Sequence, residues 1–499
     1  MKINADKLQW QEGEALRDWK NAGGIGVLQC CTGSGKTYIA ILAIKKLNIN
    51  LPNANINVVV PTTKLKDDWV NKVNGHILTH NLVNVEVFVV NSYIKKNREC
   101  VLLICDECHR FMATTFLKTI VNTKYEFLMG LTATLERLDG KHEIMKKYAP
   151  IVHTLTEEQA IQRKFIVPSV IFNLLIELND KEKKEYGTID NLYNQYFKYF
   201  GWDFKLAMDS ASSMNPRWND ILKQWDYAPC HKFAMQNGYP VDSLQQIINT
   251  YNSNKKNQLI NKNKPKKEKR IKMVDLYPNN LEHKFHPKVV NKKGILFLHY
   301  MTLRKDFVYN LQRKVDYVKE INSKFAGQII TFAQSIKIAQ IIKESIPNSV
   351  EYHSGIREKD NTGNIKTLNQ TPTKDKKLAI EAFENGTAKL LSTVKSLNEG
   401  FNVERAEMCI RIAQTRSKID RVQISGRASR IDKDNPNKIG ITINLCIDDF
   451  IYKGEKINSS EKKTIIENQK GKNPFWVTSV NEIIEIIEKL KGEKKIEHP

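Results

Sequence analysis

The sequence predicts an α/β protein built on two parallel sheets, with a mostly helical module inserted between them. Short apolar segments alternate with segments of helical spacing early in the chain, and the same rhythm restarts near residue 328. Short apolar strands that alternate with helices form parallel sheets covered on both faces. The stretch 201–299 breaks this alternation, which makes it the centre of the module. The predicted divisions are a first domain over 1–165, linker and module over 166–325, a second domain over 326–470, and a C-terminal helix over 471–499.

The first domain begins with a predicted helix over residues 8–19, where Trp10, Ala15, Leu16 and Trp19 follow helical spacing. A short buried strand over 26–29 and a Gly-rich break precede a helix over 38–47. Four more apolar segments have the length of buried strands. They span residues 56–60, 85–90, 101–105 and 127–131.

The second domain repeats the pattern with a strand over 328–332, a helix over 336–342 and three later strands. Those strands are predicted at 389–392, 408–412 and 441–445. The C-terminal helix has a clear start, because Ser479 and Glu482 have the spacing of a capping box. Ile483 and Ile487 then begin its apolar face.

The central stretch differs from both flanking domains in its residue types. Trp202, Trp218 and Trp225 can stack on bases, but at their spacing we expect them to pack in the core of the module. The densest basic run of the chain follows these tryptophans. Its members are Lys255, Lys256, Lys262, Lys264, Lys266, Lys267, Lys269, Arg270 and Lys272. The run is either a solvated loop or, from Lys262 to Arg270, a contact with nucleic-acid phosphates.

The charge of the whole chain limits its partners. Its 499 residues include 78 Lys and Arg against 55 Asp and Glu, a formal charge of +23. This excess indicates a polyanion, either nucleic acid or an anionic membrane surface. The sequence shows no secretory signal and no apolar run that spans a bilayer, so we expect a cytoplasmic protein of a bacterium or a phage-infected cell. Cys105 and Cys108 resemble half a zinc site, but no second pair completes it and we expect ordinary packing.

The Gly-rich break between the first strand and the next helix indicates a nucleotide site. Its residues are Thr32, Gly33, Ser34, Gly35, Lys36 and Thr37. Glycines let the backbone wrap phosphates, and the N-terminus of the following helix adds partial positive charge. In such a loop Lys36 reaches the β- and γ-phosphates and Thr37 holds Mg²⁺. The pattern is incomplete because Cys30 stands where the first glycine belongs, and a plain Gly-rich turn is the alternative.

Two carboxylates follow the apolar strand over 101–105 directly. The ends of strands in α/β sheets face the ligand crevice. Asp106 there suits Mg²⁺, directly or through water, and Glu107 suits a general base that orients the attacking water. A surface acidic pair is the alternative, although a strand with so many apolar residues is unusual at a protein surface.

Residues 33–37 together with Asp106, Glu107, Cys108 and His109 resemble the DEAD/DEAH-type helicases of superfamily 2. The resemblance implies that Gln11 reads adenine. It further implies that Pro61, Thr62 and Thr63 contact a nucleic-acid backbone, and that His109, Thr132 and Thr134 couple the sites. The extension Arg137-x-Asp139-Gly140 is similar to phage-type and repair helicases and restriction-enzyme motors, which usually have proline where Leu135 stands.

The second half of the chain carries further motifs of the same family in the expected order. Residues 329–333 with Thr331, the strand end with Thr393, and residues 396–403 with Gly400 and Asn402 resemble motifs IV and V. Gln423, Gly426, Arg427 and Arg430 resemble motif VI, which supplies the arginine finger. The resemblance implies two RecA-like domains, nucleic-acid contacts at Thr331 and Thr393, nucleotide contacts at Gly400 and Asn402, and a catalytic role for Gln423.

The residue types alone support the same assignment of catalytic groups to the two domains. The first domain holds Lys36, Thr37, Asp106 and Glu107, and the second supplies Arg427 and Arg430. A permanently charged guanidinium suits the negative charge that develops on a γ-phosphate, so hydrolysis would require the two domains to close. Solvated helix charges are the alternative for these arginines.

Motifs and charge together predict an ATP-dependent nucleic-acid helicase that uses ATP and Mg²⁺ and acts on DNA rather than RNA, without a membrane partner. A duplex translocase that does not separate strands and an RNA helicase are the alternatives. A non-catalytic nucleic-acid clamp is a third, and the intact catalytic residues argue against it.

Overall fold

The computed structural model describes most of the chain. It describes residues 5–80, 82–112, 115–136, 140–219, 223–263, 283–353, 356–359, 365–368, 373–394, 405–414, 418–432, 435, 437–469 and 473–497. The chain forms two compact units. The larger comprises Met1–Glu177, Tyr309–Asp448 and Asn458–Pro499, and the smaller comprises Leu178–Val308 and Asp449–Ile457.

Strands and helices alternate in both parts of the larger unit. The described strands in chain order are β1 Ile25–Cys30, β2 Ile56–Val60, β3 Val85–Val89, β4 Arg98–Asp106, β5 Thr123–Thr132, β6 Ile151–Leu155, β7 Ser169–Ile176, β8 Arg217–Asn219, β9 Gln224–Asp226, β10 Ile329–Ala333, β11 Ser349–Tyr352, β12 Ile356–Lys359, β13 Ile365–Leu368, β14 Leu390–Val394, β15 Met408–Arg411, β16 Gly440–Ile447, β17 Phe450–Tyr452, β18 Glu455–Ile457 and β19 Phe475–Val477. The described α-helices are α1 Ala5–Trp10, α2 Leu16–Asn21, α3 Lys36–Asn50, α4 Thr63–His80, α5 Val90–Tyr93, α6 Lys118–Val121, α7 His142–Tyr148, α8 Glu157–Gln162, α9 Asp180–Tyr199, α10 Phe204–Ser210, α11 Pro229–Gln236, α12 Leu244–Asn263, α13 Pro287–Asn310, α14 Gln312–Lys324, α15 Ile336–Ser345, α16 Thr373–Glu384, α17 Lys418–Ala428, α18 Ser460–Asn468 and α19 Val480–Glu497. A π-helical segment, Gln11–Ala15, joins α1 to α2, and a 3₁₀ turn, Cys108–Met112, follows β4.

The first sheet is parallel, with the strand order β3-β2-β4-β5-β1-β6. Strand β2, which lies next to the edge strand β3, shows that the sheet is buried on both faces. Ile56, Val58 and Val60 belong to the core cluster on one face, whereas Val59 belongs to the cluster on the other. Since side chains of a strand point alternately to the two faces, a continuous apolar run requires a covered sheet, as predicted.

The second sheet is also parallel, with the order β11-β14-β10-β15-β16-β7-β19. Two of its strands come from outside the range 326–470 of the predicted second domain. β7 pairs with β16 over eight residues, from Ser169 opposite Gly440 to Ile176 opposite Ile447. β19 pairs with the outer side of β7. Chain order did not reveal that β7 and β19 belong to the second sheet, because the sheet that a strand joins is set by tertiary pairing.

The C-terminal helix α19 belongs to the same layer as the second sheet. Ile483 and Ile487 are buried in the core cluster that also contains Phe172 of β7. Its capping box is present, because the Glu482 backbone N–H donates to Ser479 Oγ at 3.3 Å and the Ser479 N–H donates to Glu482 Oε2 at 3.3 Å. The predicted range 471–499 therefore contributes a strand and a helix to the second domain.

The smaller unit is mostly helical, as predicted, and contains α9 to α12, most of α13, and the hairpins β8–β9 and β17–β18. Its core contains Phe200, Phe233 and Phe297. The prediction that its tryptophans pack in this core is wrong for two of them, since Trp202 is 54% exposed and Trp218 is 47% exposed. Among the described residues, no helix combines the length and apolar character needed to cross a bilayer.

Candidate nucleotide and catalytic site

The Gly-rich loop lies between the end of β1 and the start of α3, as the sequence predicts. Gly33 and Gly35 adopt φ angles of +84° and +94°, in the left-handed region that favours glycine. The Gln11 side chain lies over this loop and is 5% exposed, and its Nε2 donates to the carbonyl oxygen of Gly35 at 3.3 Å. A Cβ on Gly35 would lie 2.5 Å from that Nε2, so only glycine permits this approach.

Two lysines donate to the backbone carbonyls of the loop and of the strand before it. Lys36 Nζ donates to the carbonyl oxygens of Cys30 and Cys31 at 2.9 and 3.3 Å. Lys7 Nζ donates to the carbonyl oxygen of Gly33 at 3.0 Å, and burial lowers the pKa of Lys7. No motif in the sequence marks Lys7, which lies on the helix before Gln11. Positive charge is therefore placed at the loop from two elements, which suits a phosphate ligand.

Asp106 ends β4 and is held in place by two donors. Trp69 Nε1 of α4 donates to Asp106 Oδ2 at 2.7 Å, and the backbone N–H of Glu107 donates to Asp106 Oδ1 at 3.0 Å. Asp106 is 6% exposed, and burial, followed by the neighbouring Glu107 carboxylate, raises the pKa of its carboxyl group. Trp69 lies on the helix that begins at the predicted nucleic-acid contact Thr63, but its bond to Asp106 follows only from the fold.

Glu107 has an unusual backbone conformation and lies among charged side chains. Its φ angle is +50°, which is rare for a residue with a side chain. Burial raises the pKa of Glu107, but His109, Lys36 and Arg110 outweigh burial and bring the pKa below its ordinary value. Glu107 is therefore ionised at neutral pH, the form that a general base requires.

The predicted coupling residues form a hydrogen-bonded series behind the carboxylates. His109 Nδ1 lies 3.4 Å from Glu107 Oε2 and 3.1 Å from Thr132 Oγ1. Thr132 Oγ1 donates to the carbonyl oxygen of Thr134 at 2.8 Å. His109 and Thr132 are almost fully buried. The end of β5 is thus in hydrogen-bond contact with His109, which lies within ion-pair distance of the candidate base.

Motif VI begins on α17, directly against the Gly-rich loop, and ends at Arg430, two residues beyond this helix. A Cβ on Gly426 would lie 2.4 Å from Thr32 Cβ, and a Cβ on Gly33 would lie 3.7 Å from Arg430 Cγ. Arg427 is 3% exposed on the same helix. The second sheet therefore brings its motif VI helix to the nucleotide loop of the first.

One buried amide at this contact has no protein partner. Gln423 precedes Gly426 by one turn and is 5% exposed, yet both its Oε1 and its Nε2 lack a hydrogen-bond partner among the described residues. Thr32 Oγ1, on the loop that Gly426 contacts, is buried without a partner in the same way. Buried polar atoms without a partner are rare in proteins, so these groups suit a polar ligand at the loop.

The predicted nucleic-acid contacts in the second sheet have partners inside the domain. Thr331 and Thr393 are fully buried. Thr331 Oγ1 donates to Ser392 Oγ at 3.2 Å, and Thr393 Oγ1 donates to the carbonyl oxygen of Tyr352 at 2.9 Å. Their hydroxyl groups therefore connect neighbouring strands in this structure.

Other predicted contacts lie at surfaces or outside the described residues. Pro61, Thr62 and Thr63 join the end of β2 to the start of α4, and Thr62 Oγ1 accepts from the Leu65 backbone N–H at 3.3 Å. Lys262 is exposed on α12. The predicted residues outside the described part of the chain are Lys264, Lys266, Lys267, Lys269, Arg270, Gly400 and Asn402.

The donor set at the end of β4 fits a hard cation. Within the described ranges, no cluster of three or more His, Cys, Asp and Glu side chains forms a metal site. Asp106 offers carboxylate oxygens and Thr37 a hydroxyl oxygen, and oxygen ligands with several retained waters are what Mg²⁺ prefers. A triphosphate would complete such a ligand set.

Two family models match the chain, one on each half. The model for the type III restriction enzyme, res subunit, matches residues 4–98 and 88–137. The model for the helicase conserved C-terminal domain matches residues 313–432. They cover the Gly-rich loop and the Asp106–Glu107 pair on one side and motif VI on the other.

The curated relatives are helicases and translocases of low identity. The DNA 3'-5' translocase XPB2 of Sulfurisphaera tokodaii is 26% identical over 272 residues, which cover 50% of this chain and 60% of that protein. Three viral relatives are 27%, 28% and 28% identical over 247, 169 and 145 residues. The chain thus spans three fifths of the first relative and less than half of each viral one.

Solved helicase structures cover nearly the whole chain. The helicase domain of Hef from Pyrococcus furiosus has a TM-score of 0.43 and 15% identity, covering 90% of this chain and 97% of that one. Dbp5 of S. cerevisiae, bound to RNA and ADP BeF3, has a TM-score of 0.49 and 12% identity, covering 96% of this chain and 93% of that one. The ordered motifs, the two family models and the two parallel sheets lead to one conclusion: the chain belongs to the superfamily 2 helicases.

Proposed function

We propose that this protein is an ATP-dependent DNA helicase that hydrolyses ATP between its two parallel-sheet domains and couples hydrolysis to movement along DNA. The observation that carries the proposal is the packing of α17 against the Gly-rich loop, where a Cβ on Gly426 would lie 2.4 Å from Thr32 Cβ. This contact brings the motif VI residues of the second sheet to the loop that binds phosphate in the family. The boundary between the domains then lies near residue 168, with β7 in the second domain.

The chain's own groups account for triphosphate binding. The N-terminus of α3 directs backbone N–H groups toward the loop, and Lys36 lies within electrostatic reach of both Asp106 and Glu107. Thr37 and Asp106 would hold Mg²⁺, which neutralises charge on the β- and γ-phosphates when bound. Gln11 places its amide over the loop, where it would contact the base of the nucleotide.

Glu107 is the proposed general base. Its lowered pKa keeps the carboxylate ionised, so it can orient a water and accept its proton. The water oxygen bonds to the γ-phosphorus while the bond from that phosphorus to the β–γ bridging oxygen breaks, and ADP leaves. His109 Nδ1 lies 3.4 Å from Glu107 Oε2 and helps to lower the pKa of this carboxyl group. The left-handed backbone at Glu107 is strained for a residue with a side chain, and such strain is found at functional residues.

Arg427 and Arg430 are the proposed stabilisers of the transition state. A guanidinium that lies against the phosphate loop offsets the charge that develops on the γ-phosphate. Because these arginines belong to the second sheet, any movement of that sheet away from the loop withdraws them. Hydrolysis therefore depends on the relative position of the domains, and a strand bound across both domains changes that position.

DNA is the proposed substrate because the first curated relative is named as a DNA translocase. The net charge of +23 suits a polyanion of either kind. That name also supports a second candidate, a duplex translocase that does not separate strands. A strand-displacement assay compared with a triplex-displacement assay distinguishes the two, since only a helicase releases a strand from a forked duplex.

The central test is ATP turnover with and without nucleic acid. The rate is measured alone and with single-stranded DNA, duplex DNA, forked DNA and single-stranded RNA, and we expect DNA to raise it most. Lys36→Ala should abolish turnover, whereas Lys46→Ala, an exposed change on the same helix α3, should leave it unchanged. Stimulation by RNA alone would reassign the substrate, and a rate that no polynucleotide changes would refute the proposal.

A further inference from the structure

The hairpin β8–β9 of the smaller unit places an aromatic pair on one of its faces. Trp218 and Trp225 lie directly opposite each other in the antiparallel register. Their ring centroids are 5.6 Å apart with an interplanar angle of 70°, so the edge of one ring meets the face of the other. Trp218 remains 47% exposed. Burying the pair would gain hydrophobic free energy, and leaving so much of an indole in water is a cost that a ligand can relieve.

This tryptophan hairpin (residues 217–219 and 224–226) is anchored on helix α12. The Trp225 ring lies 5.9 Å from the ring of Tyr251, at an interplanar angle of 62°. The three rings thus form a continuous row from the exposed Trp218 to the surface of α12. The rings of Trp225 and Tyr251 hold the hairpin in place. They fix the position of the Trp218 indole, which does not itself pack in the core of the smaller unit.

Helix α12 continues the row with positive charge. Its twenty residues include no Asp or Glu, three lysines and many Asn and Gln. At 3.6 residues per turn, Lys255 and Lys262 lie within about 40° of Tyr251 around the helix axis, whereas Lys256 lies about 140° away. Lys255 and Lys262 are exposed. One face of α12 therefore presents an aromatic ring followed by two cations about one to three turns further along.

We propose that the tryptophan hairpin and this face of α12 bind single-stranded nucleic acid, an inference that rests on the proposed function. A base stacks on the exposed face of Trp218, and the backbone phosphates follow Lys255 and Lys262. An aromatic platform combined with a positively charged track is the arrangement that binds single strands without sequence preference. Duplex is excluded from the Trp218 contact, because its base faces are already stacked on each other.

The charge of the surface favours this occupant over a protein. An apolar protein patch would gain nothing from a helix face with two lysines and no acidic residue, and it would have to desolvate both ammonium groups. A nucleic-acid strand instead offers phosphates to the lysines and a flat ring to the indole. The same contacts form with DNA or RNA, since neither stacking nor phosphate pairing involves the 2′-hydroxyl.

Binding of fluorescently labelled oligo(dT), oligo(rU) and a DNA hairpin duplex to the full chain tests the stacking site. Trp218→Ala should weaken single-strand affinity by about fivefold to a hundredfold, the range for loss of one stacked base, and change duplex affinity by less than twofold. Trp218→Tyr should restore most of the single-strand affinity. The control is Trp202→Ala, which removes a tryptophan that is at least as exposed and lies outside the row.

The salt dependence of the same binding tests the lysine face. Lys255→Gln combined with Lys262→Gln should reduce the slope of log K against log salt by roughly 1.4 on oligo(dT), about 0.7 for each phosphate that is no longer neutralised. Lys256→Gln removes a charge from the same helix outside the face and should change the slope by less than half the value for one phosphate. Equal effects of Lys255→Gln and Lys256→Gln would overturn the assignment of this face.

The outcomes separate this inference from the proposed function. If DNA stimulates the wild-type ATPase but Trp218→Ala binds oligo(dT) within twofold of wild type, the stacking site is refuted and the helicase proposal stands. A similar loss with Trp202→Ala would refute the specific role of the hairpin. If wild type neither binds a polynucleotide nor responds to one in ATP turnover, the proposed function itself fails.

Discussion

The contact between Gly426 and Thr32 provides the sharpest test of how the two sheets cooperate. In Gly426→Ala the added Cβ would lie 2.4 Å from Thr32 Cβ, 2.8 Å from its Cγ2 and 2.9 Å from its Oγ1. Carbon atoms rest about 3.5 to 4.0 Å apart, so α17 has to withdraw from the loop by roughly 1 Å. Arg427 and Arg430 withdraw with it.

The expected loss of activity follows from that displacement. A misplacement of about 1 Å costs on the order of a hundredfold in rate when it affects groups that must meet the reacting centre. We expect kcat of the stimulated ATPase to fall by about this factor. The Gly-rich loop and Lys36 stay in place, so nucleotide affinity should change much less than kcat.

The matched control is Gly75→Ala in helix α4, where an added Cβ meets nothing within 4 Å. Both changes gain about 1 kcal/mol of helix propensity, but only Gly426→Ala introduces overpacking, which costs about 1 to 3 kcal/mol. Steady-state ATPase kinetics and urea unfolding of both variants measure the two effects. A kcat of Gly426→Ala within twofold of wild type would show that the packing of α17 against the loop is not the catalytic arrangement.

Three other predictions follow from the described contacts. Glu107→Gln should retain ATP binding and lose at least about a hundredfold in kcat, because a neutral amide cannot accept the proton of water; an unchanged single-turnover rate would contradict this. Lys314 Nζ donates to the two carboxylate oxygens of buried Glu461 at 2.8 and 2.9 Å, so Lys314→Met leaves that carboxylate buried without its counter-charge. The free energy of unfolding should fall by about 3 to 5 kcal/mol. Urea denaturation measures this loss, and a loss below about 1 kcal/mol would contradict the prediction. Burial lowers the pKa of Lys64 to about 7 in the folded chain. Above pH 7 the unfolded chain therefore binds more protons than the folded chain. The contribution of Lys64 to the free energy of unfolding then rises with pH from about 7 upward. The unfolding free energy of wild type should therefore rise more steeply between pH 6.5 and 8.5 than that of Lys64→Met, and parallel pH profiles would argue against it.

Much of the first domain could be predicted from local patterns. The strand predicted over 56–60 is confirmed as β2, because its four apolar residues point to both faces and fit a strand that is covered on both. The helix predicted over 8–19 is interrupted by a π-helical segment that begins at Gln11. Periodicity did not reveal this widening of the helix, which depends on a shift of backbone hydrogen bonds around Gly13 and coincides with the residue that contacts the loop.

The candidate site shows the same division between local and tertiary information. Lys36, Asp106 and Glu107 follow from a strand and its adjoining turn, so their type and position were visible in the sequence. The bond from Trp69 to Asp106 joins residues 37 positions apart, and nothing in the spacing indicates it. The exposure of Trp218 was predicted wrongly, because the spacing of the tryptophans suggested core packing and does not reveal the hairpin that holds Trp218 at the surface.

The position of β7 in the second sheet, between β16 and the edge strand β19, has a consequence for synthesis of the chain. Asn173 of β7 and Asn444 of β16 are hydrogen-bonded at 2.8 Å although they stand 271 positions apart. At about 5 to 20 residues per second, a ribosome needs roughly 15 to 55 s to make that interval, during which the first sheet can already be complete. During this time Phe172 and Leu174 of the nascent β7 are exposed to solvent, and the backbone groups on both edges of the strand are unpaired. A chain that terminates before residue 440 leaves this strand permanently without its inner neighbour, and such fragments should aggregate or require a chaperone.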